Sequence, residues 1–326
     1  MIQPVTLVLV VGLLAVSLYA VLGGADFGGG VWDLLAFGKR ARAQREAISL
    51  AIGPVWEANH VWLIFTIVLL FTCFPPAFAD LAIGLFVPLT IALIGIVLRG
   101  AAFVFRNYAA DVPGASPAWG AVFGGASVLA PLGFGLVAGG MATGRYDWTS
   151  PFAWCIAAFA IALCAQVAAV FLTIDVADRR LVQDFRRRAF VATVAVAFVG
   201  AVALGVARVT EPALFTELVS WRPLTSVAVA MLLGVASLGT LAVRRYAVAR
   251  ITVACEVIAV LAAWFGAQSP YLIEGRFTYA QAASPDAVLE AFVITTAIGA
   301  LFLIPSLCLL LLVFKRAPMH GEEAKE

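Results

Sequence analysis

The sequence predicts an all-α membrane protein of about nine transmembrane helices, built as two four-helix bundles plus a peripheral helix, with the N-terminus outside and the C-terminus cytoplasmic. Three observations carry this. Hydrophobic residues make up 63% of the 326 and charged residues only 12%, with mean hydropathy +1.03, too little polar surface for a soluble globule of this size. Apolar runs recur at about 20 residues or slightly more, the length that a hydrocarbon core of roughly 30 Å demands. Of the 21 Lys and Arg, 17 fall on one set of alternate loops and 4 on the other, and the richer side is the cytoplasmic one.

The spans are expected near 4–24, 47–71, 78–105, 117–141, 151–175, 187–208, 222–243, 249–268 and 288–314, forming one transmembrane domain, 1–316, followed by a cytoplasmic tail, 317–326. The first run has no basic residue before Lys39, so it lacks the charged start of a cleaved signal peptide and is expected to remain as a span. Residues 22–34 contain five glycines, which weaken helix continuity and allow close backbone approach. In the second span Pro54 cannot donate to the Leu50 carbonyl and is expected to bend the helix just before Glu57. Gly120, Gly124, Gly125, Gly133, Gly135, Gly139 and Gly140 suit close helix contact in the fourth span. The longest outer connection, 269–287, is expected to cap the outer surface or touch a partner. Cysteines 73, 155, 164, 255 and 308 stand singly in apolar segments and read as packing residues. The small net charge of +2 and the absence of a phosphate or nucleic-acid motif argue against a nucleic-acid partner.

Charged groups within the bilayer are where function is sought. Glu57 and His60 are three apart and share one helix face, with Asn59 in the same turn. An intramembrane charge costs roughly 2.5–3.5 kcal/mol on insertion scales, so it faces protein or water, and such a cluster either serves chemistry or only locks helices together. At 1.5 Å per residue Asp26 lies about 33 Å along the first helix, near the cytoplasmic edge, whereas Glu57, starting from that side, lies about 15 Å deep. Arg99 arrives at the depth of Asp26 and is expected to pair with it. Asp26 and Arg99 at the mouth, with Glu57 and His60 inside, make a ladder suited to proton entry, since burial brings carboxyl protons into exchange near neutral pH. Glu57-x-x-His60 also resembles half of a di-iron helix pattern, but the only other histidine, His320, lies in the tail. Met141 and Met231 fall near the outer surface, so no bis-His haem or metal site is expected within the chain. For His60, hydrogen bonding and single ligation both stand. Gln166 and Glu256 are expected to hydrogen-bond between helices.

The combination of Gly23-Gly-Ala-Asp-Phe-Gly28, Gly53-Pro-Val-Trp-Glu-Ala-Asn-His-Val-Trp-Leu63 and Leu98-Arg-Gly-Ala-Ala-Phe-Val-Phe-Arg106 resembles subunit II of the cytochrome bd-type quinol oxidases. The likeness continues, with less specificity, through Ser127 to Gly139, Ser150-Pro151-Phe152 and the last span with Pro305. It implies a subunit that binds no cofactor alone and pairs with a haem-bearing subunit I, carrying haem b with or without haem d, where quinol is oxidised and oxygen reduced to water. It leaves room for a small accessory subunit and for membrane lipids as further partners, in a bacterial or archaeal cytoplasmic membrane. Glu57 matches the family's embedded acid, associated with proton delivery. Asp26 matches the second acid of the family's usual Asp-Gly-Phe-Asp, and Asn59, Trp62, Arg99 and Arg106 match as structural or partner-facing polar positions. Gly23 and Val104 stand where the family commonly has acids. The rival readings are a proton-coupled secondary transporter using Asp26, Glu57 and Arg99, and a purely structural assembly subunit.

Overall fold

The computed structural model describes residues 3–108 and 115–316, apart from the side chains of residues 52, 54–57, 107, 108, 115–117, 307, 308, 310–316. The tail 317–326 lies outside the described residues. The first half comprises α1 (Pro4–Leu34), α2 (Ala41–Cys73), α3 (Pro75–Gly84), α4 (Phe86–Tyr108) and α5 (Ala115–Ala142). The second comprises α6 (Pro151–Asp175), α7 (Arg179–Thr210), α8 (Pro212–Leu218), α9 (Trp221–Ala242) and α10 (Tyr246–Gln268). A small hairpin, β1 (Tyr271–Ile273) with β2 (Phe277–Thr278), then leads through α11 (Tyr279–Ala282) to α12 (Asp286–Arg316). Among the described residues eight helices are long and apolar enough to cross a membrane, and the bent pair α2 and α3 makes a ninth if counted as one span.

The helices pack as two bundles, α1, α2, α4, α5 and α6, α7, α9, α10, joined by α6 against α1 and α5, with α12 resting on α1 and α2. The halves repeat one plan. Phe74 (φ −136°, ψ 52°) breaks the chain between α2 and α3, and Glu211 (φ −133°, ψ 63°) breaks it between α7 and α8. In each case a proline opens the short helix that follows, a position where its missing N–H costs nothing. α1 and α6 likewise open on Pro4 and Pro151.

Two expectations are corrected. The span expected over 78–105 is divided at Leu85, its first part being α3, bent by 117° from α2. The glycine-rich stretch 22–34 stays helical, because tertiary contacts outweigh the weak propensity of glycine. Residues 23–33 are buried, and a Cβ on Gly28 would overlap the Cys164 carbonyl of α6, as one on Gly30 would overlap the Ser127 hydroxyl of α5. Gly28→Val should therefore destabilise the protein by about 3 kcal/mol, the upper range for overpacking, because backbone must move. Gly125→Ala, which meets nothing within 4 Å, should leave thermal unfolding of the detergent-purified protein unchanged. Equal melting of the two variants would refute the close contact.

The connection 269–287 caps this chain's own helix ends. Ile273 is buried with Val8, Leu69, Cys73, Phe74, Leu85 and Tyr146. The Ser284 N–H and hydroxyl donate to the Cys73 and Thr72 carbonyls, each at 2.8 Å, satisfying the end of α2. Arg276 clamps Asp80 at 2.6 and 2.8 Å, and Tyr146 donates its hydroxyl to the same carboxylate at 2.6 Å. Burial, reinforced by that carboxylate, pushes the Tyr146 phenol above its ordinary range.

Candidate functional site

Asp26 sits where the tightly packed part of α1 meets α4. Its carboxylate is 0% exposed and Arg99 is 1% exposed. Arg99 Nη2 donates to Asp26 Oδ1 at 2.5 Å and to the Asp26 carbonyl at 3.2 Å, and Nε donates to Ser127 Oγ at 3.1 Å. Ser127 in turn donates to the Phe123 carbonyl at 2.7 Å. The guanidinium lies over the rings of Phe27 and Phe123, 5.5 and 4.8 Å from their centroids. Arginine suits this setting because its planar, weakly hydrated cation stacks on aromatic faces while its fork donates to oxygens.

Seven residues further along both helices the pattern recurs. Arg106 Nη1 donates to Asp33 Oδ1 at 2.9 Å. Both pairs are separated by 73 residues, so α1 and α4 run in the same direction in one register. Arg45 of α2 closes this end, donating to the carbonyls of Asp33 and Ala36 at 3.3 and 3.0 Å. This end of the column is thus Asp33 with Arg106 and Arg45. Asp26 and Arg99 lie two helical turns further from it, α1 remaining helical as far as Leu34. Asp33, Arg45 and Ser127 were not singled out from the sequence. The signal for Asp33 was present: Asp26 and Asp33, like Arg99 and Arg106, are seven apart and so share a helix face.

α2 brings Asn59 to the same carboxylate, its Nδ2 donating to Asp26 Oδ2 at 3.4 Å. Asn59 is buried, and a Cβ on Gly23 would stand 3.1 Å from its Oδ1, so the amide occupies the space facing Gly23. Asn59 and Arg99 are therefore buried in the interior of this chain. His60 is partly buried and near enough to act electrostatically on Asp26. Trp62 is half-buried, edge-on to Phe65 with ring centroids 6.5 Å apart. Val104 is exposed on α4. The side chain of Glu57, and with it the expected bend at Pro54, lies outside the described residues. In the second bundle Gln166 Nε2 of α6 donates to Glu256 Oε2 of α10 at 2.9 Å, the interhelical bond expected for that pair.

The fold and this column define a polytopic helical membrane protein that holds a pair of acid and arginine rungs within its own first bundle. The cytochrome bd terminal oxidase subunit II pattern matches residues 4–314, and the chain belongs to that family. It is 36% identical over 86 residues to the cytochrome bd ubiquinol oxidase subunit 2 of Bacillus subtilis, covering 26% of this chain and 25% of that one. It is 30% identical over 137 residues to the cytochrome bd-I ubiquinol oxidase subunit 2 of Escherichia coli K12, covering 42% of this chain and 35% of that one. The matched stretches thus span only about a quarter to a third of these curated relatives. The fold is similar to a chain in the structure of bd oxidase from Geobacillus thermodenitrificans, with TM-score 0.75 and 22% identity over 95% of this chain and 98% of that one.

Proposed function

We propose that the chain is the haem-free subunit II of a bd-type quinol:oxygen oxidoreductase in a bacterial cytoplasmic membrane, with its N-terminus outside and its C-terminus cytoplasmic. It scaffolds a haem-bearing subunit I and supplies part of a proton path from the cytoplasm through Glu57, Asp26 and His60. The observation that carries the reading is the set of polar groups around the buried Asp26. Arg99 fixes one carboxylate oxygen, while the other receives, among the described residues, a 3.4 Å bond from Asn59. Asn59 Oδ1 and the Tyr19 hydroxyl are buried without a hydrogen-bond partner among the described residues. Buried polar atoms are almost always satisfied by protein or ordered water, so these groups suit a hydrated step in a relay. That His60 and His320 are the only histidines, so that no bis-His site can form in the membrane, supports placing the haems in the partner subunit.

The transporter reading looks for broken helices at corresponding places in two halves, near mid-membrane. The breaks at Phe74 and Glu211 do correspond, but Phe74 lies 15 residues beyond Asn59, about 22 Å along α2 from the acid. They close helix ends. Purification from native membranes under mild detergent tests the proposal. A co-purifying haem protein with quinol-dependent oxygen uptake is the expected result, whereas a haem-free homo-oligomer would favour transport.

A further inference from the structure

The turn between α1 and α2 and the start of α7 enclose a pocket of about 430 Å³ that the proton path does not use. Four cations line it, Lys39, Arg40, Arg187 and Arg188, against one carboxylate, Asp184. That carboxylate is already committed: Arg40 grips it through two bonds of 2.7 and 2.6 Å. Arg188 is held as well, donating to the Leu35 carbonyl at 3.1 Å and to Gln44 Oε1 at 2.7 Å. Lys39 and Arg187 form no ion pair among the described residues. The pocket therefore carries surplus positive charge, with Arg40 and Arg188 engaged within the chain and two exposed cations available to an anion.

Its place in the fold says which anion. It opens where the apolar part of α1 ends, and its rim carries Phe37, 73% exposed, with Leu34 and Leu35 exposed beside it. An aromatic and aliphatic rim next to a basic pocket at the edge of a span is the chemistry of a phospholipid: phosphate on the cations, glycerol and upper acyl chain against the apolar flank. A soluble phosphate gains nothing from that rim. The volume falls within the range of small-molecule sites. We infer that this pocket binds the phosphodiester headgroup of an anionic membrane lipid, anchored by Lys39 and Arg187. The inference rests on the orientation given under Proposed function only in placing the lipid in the cytoplasmic leaflet.

The test uses the complete complex in nanodiscs of phosphatidylcholine doped with phosphatidylglycerol, followed by extraction into detergent and native mass spectrometry. The wild type should retain phosphatidylglycerol in preference to phosphatidylcholine, and Lys39→Gln with Arg187→Gln should lower that retention roughly 30-fold, as loss of two interfacial cations implies. Lys39→Arg with Arg187→Lys should restore it, and thermal unfolding of each variant reports whether it has folded. Equal retention by the charge-neutral variant would overturn the inference. So would displacement of the lipid by inorganic phosphate at matched concentration, which would mark a free-anion site, or loss of a protein subunit with no change in lipid, which would mark an acidic protein segment as the occupant. If the chain proves haem-free and alone, the function proposed above fails while the lipid measurement still stands.

Discussion

Arg99→Met should destabilise the protein by about 3–5 kcal/mol, the range seen when one partner of a buried ion pair is removed. The penalty arises from what is left behind. Asp26 is fully buried, and the bond it keeps from Asn59 among the described residues is 3.4 Å long, so the stranded carboxylate has little to offset its burial. Ser127 Oγ loses its Arg99 partner at the same time. Thermal unfolding of the detergent-solubilised complex measures this. The double variant Asp26→Leu with Arg99→Met should recover much of the loss, since replacing both members of a buried pair is often near neutral. If Arg99→Met melts like the wild type, the pair is not the bond that fixes α1 to α4. If the double variant is as unstable as the single, repacking rather than stranded charge explains the effect. By contrast Arg106→Met removes a half-buried group from Asp33, which keeps the guanidinium of Arg45 nearby at 4.0 Å, and should cost far less.

Glu57→Gln should lower quinol-dependent oxygen uptake by the assembled complex on the order of 100-fold, the lower part of the range contributed by a positioned proton-transfer group. Glutamine keeps the size of the side chain but holds no exchangeable acid proton. Glu57 is two residues before Asn59 and three before His60 on α2, hence about 3 and 5 Å from them along the helix axis. Glu57→Asp should retain part of the rate, with an altered pH profile, which a merely structural role would not produce. Uptake and haem spectra matching the wild type in Glu57→Gln would remove this residue from the path.

The fold class was legible because it rests on span-length apolar runs, which report the thickness of a bilayer and little else. The pairing of Asp26 with Arg99 was legible for a related reason: intramembrane charges need partners, and these two were at matching depth. That residues 22–34 stay helical was not legible, because glycine propensity takes no account of its surroundings. Gly28 against the Cys164 backbone shows that the same residues which weaken an isolated helix allow a neighbouring helix to hold it. The division at Leu85 was missed since Pro75 and Pro76 start α3 within continuous hydrophobicity, and hydropathy does not register a change of direction. Asp33 was legible only through its seven-residue spacing from Asp26, and for Ser127 what matters is a contact with Arg99 across more than twenty residues of sequence, which no local pattern contains.

The equal offset of the two rungs has a mechanical meaning. Sliding α4 along α1 by one helical turn, about 5.4 Å, would place neither arginine opposite its acid. Two teeth at the same pitch thus oppose such a slide.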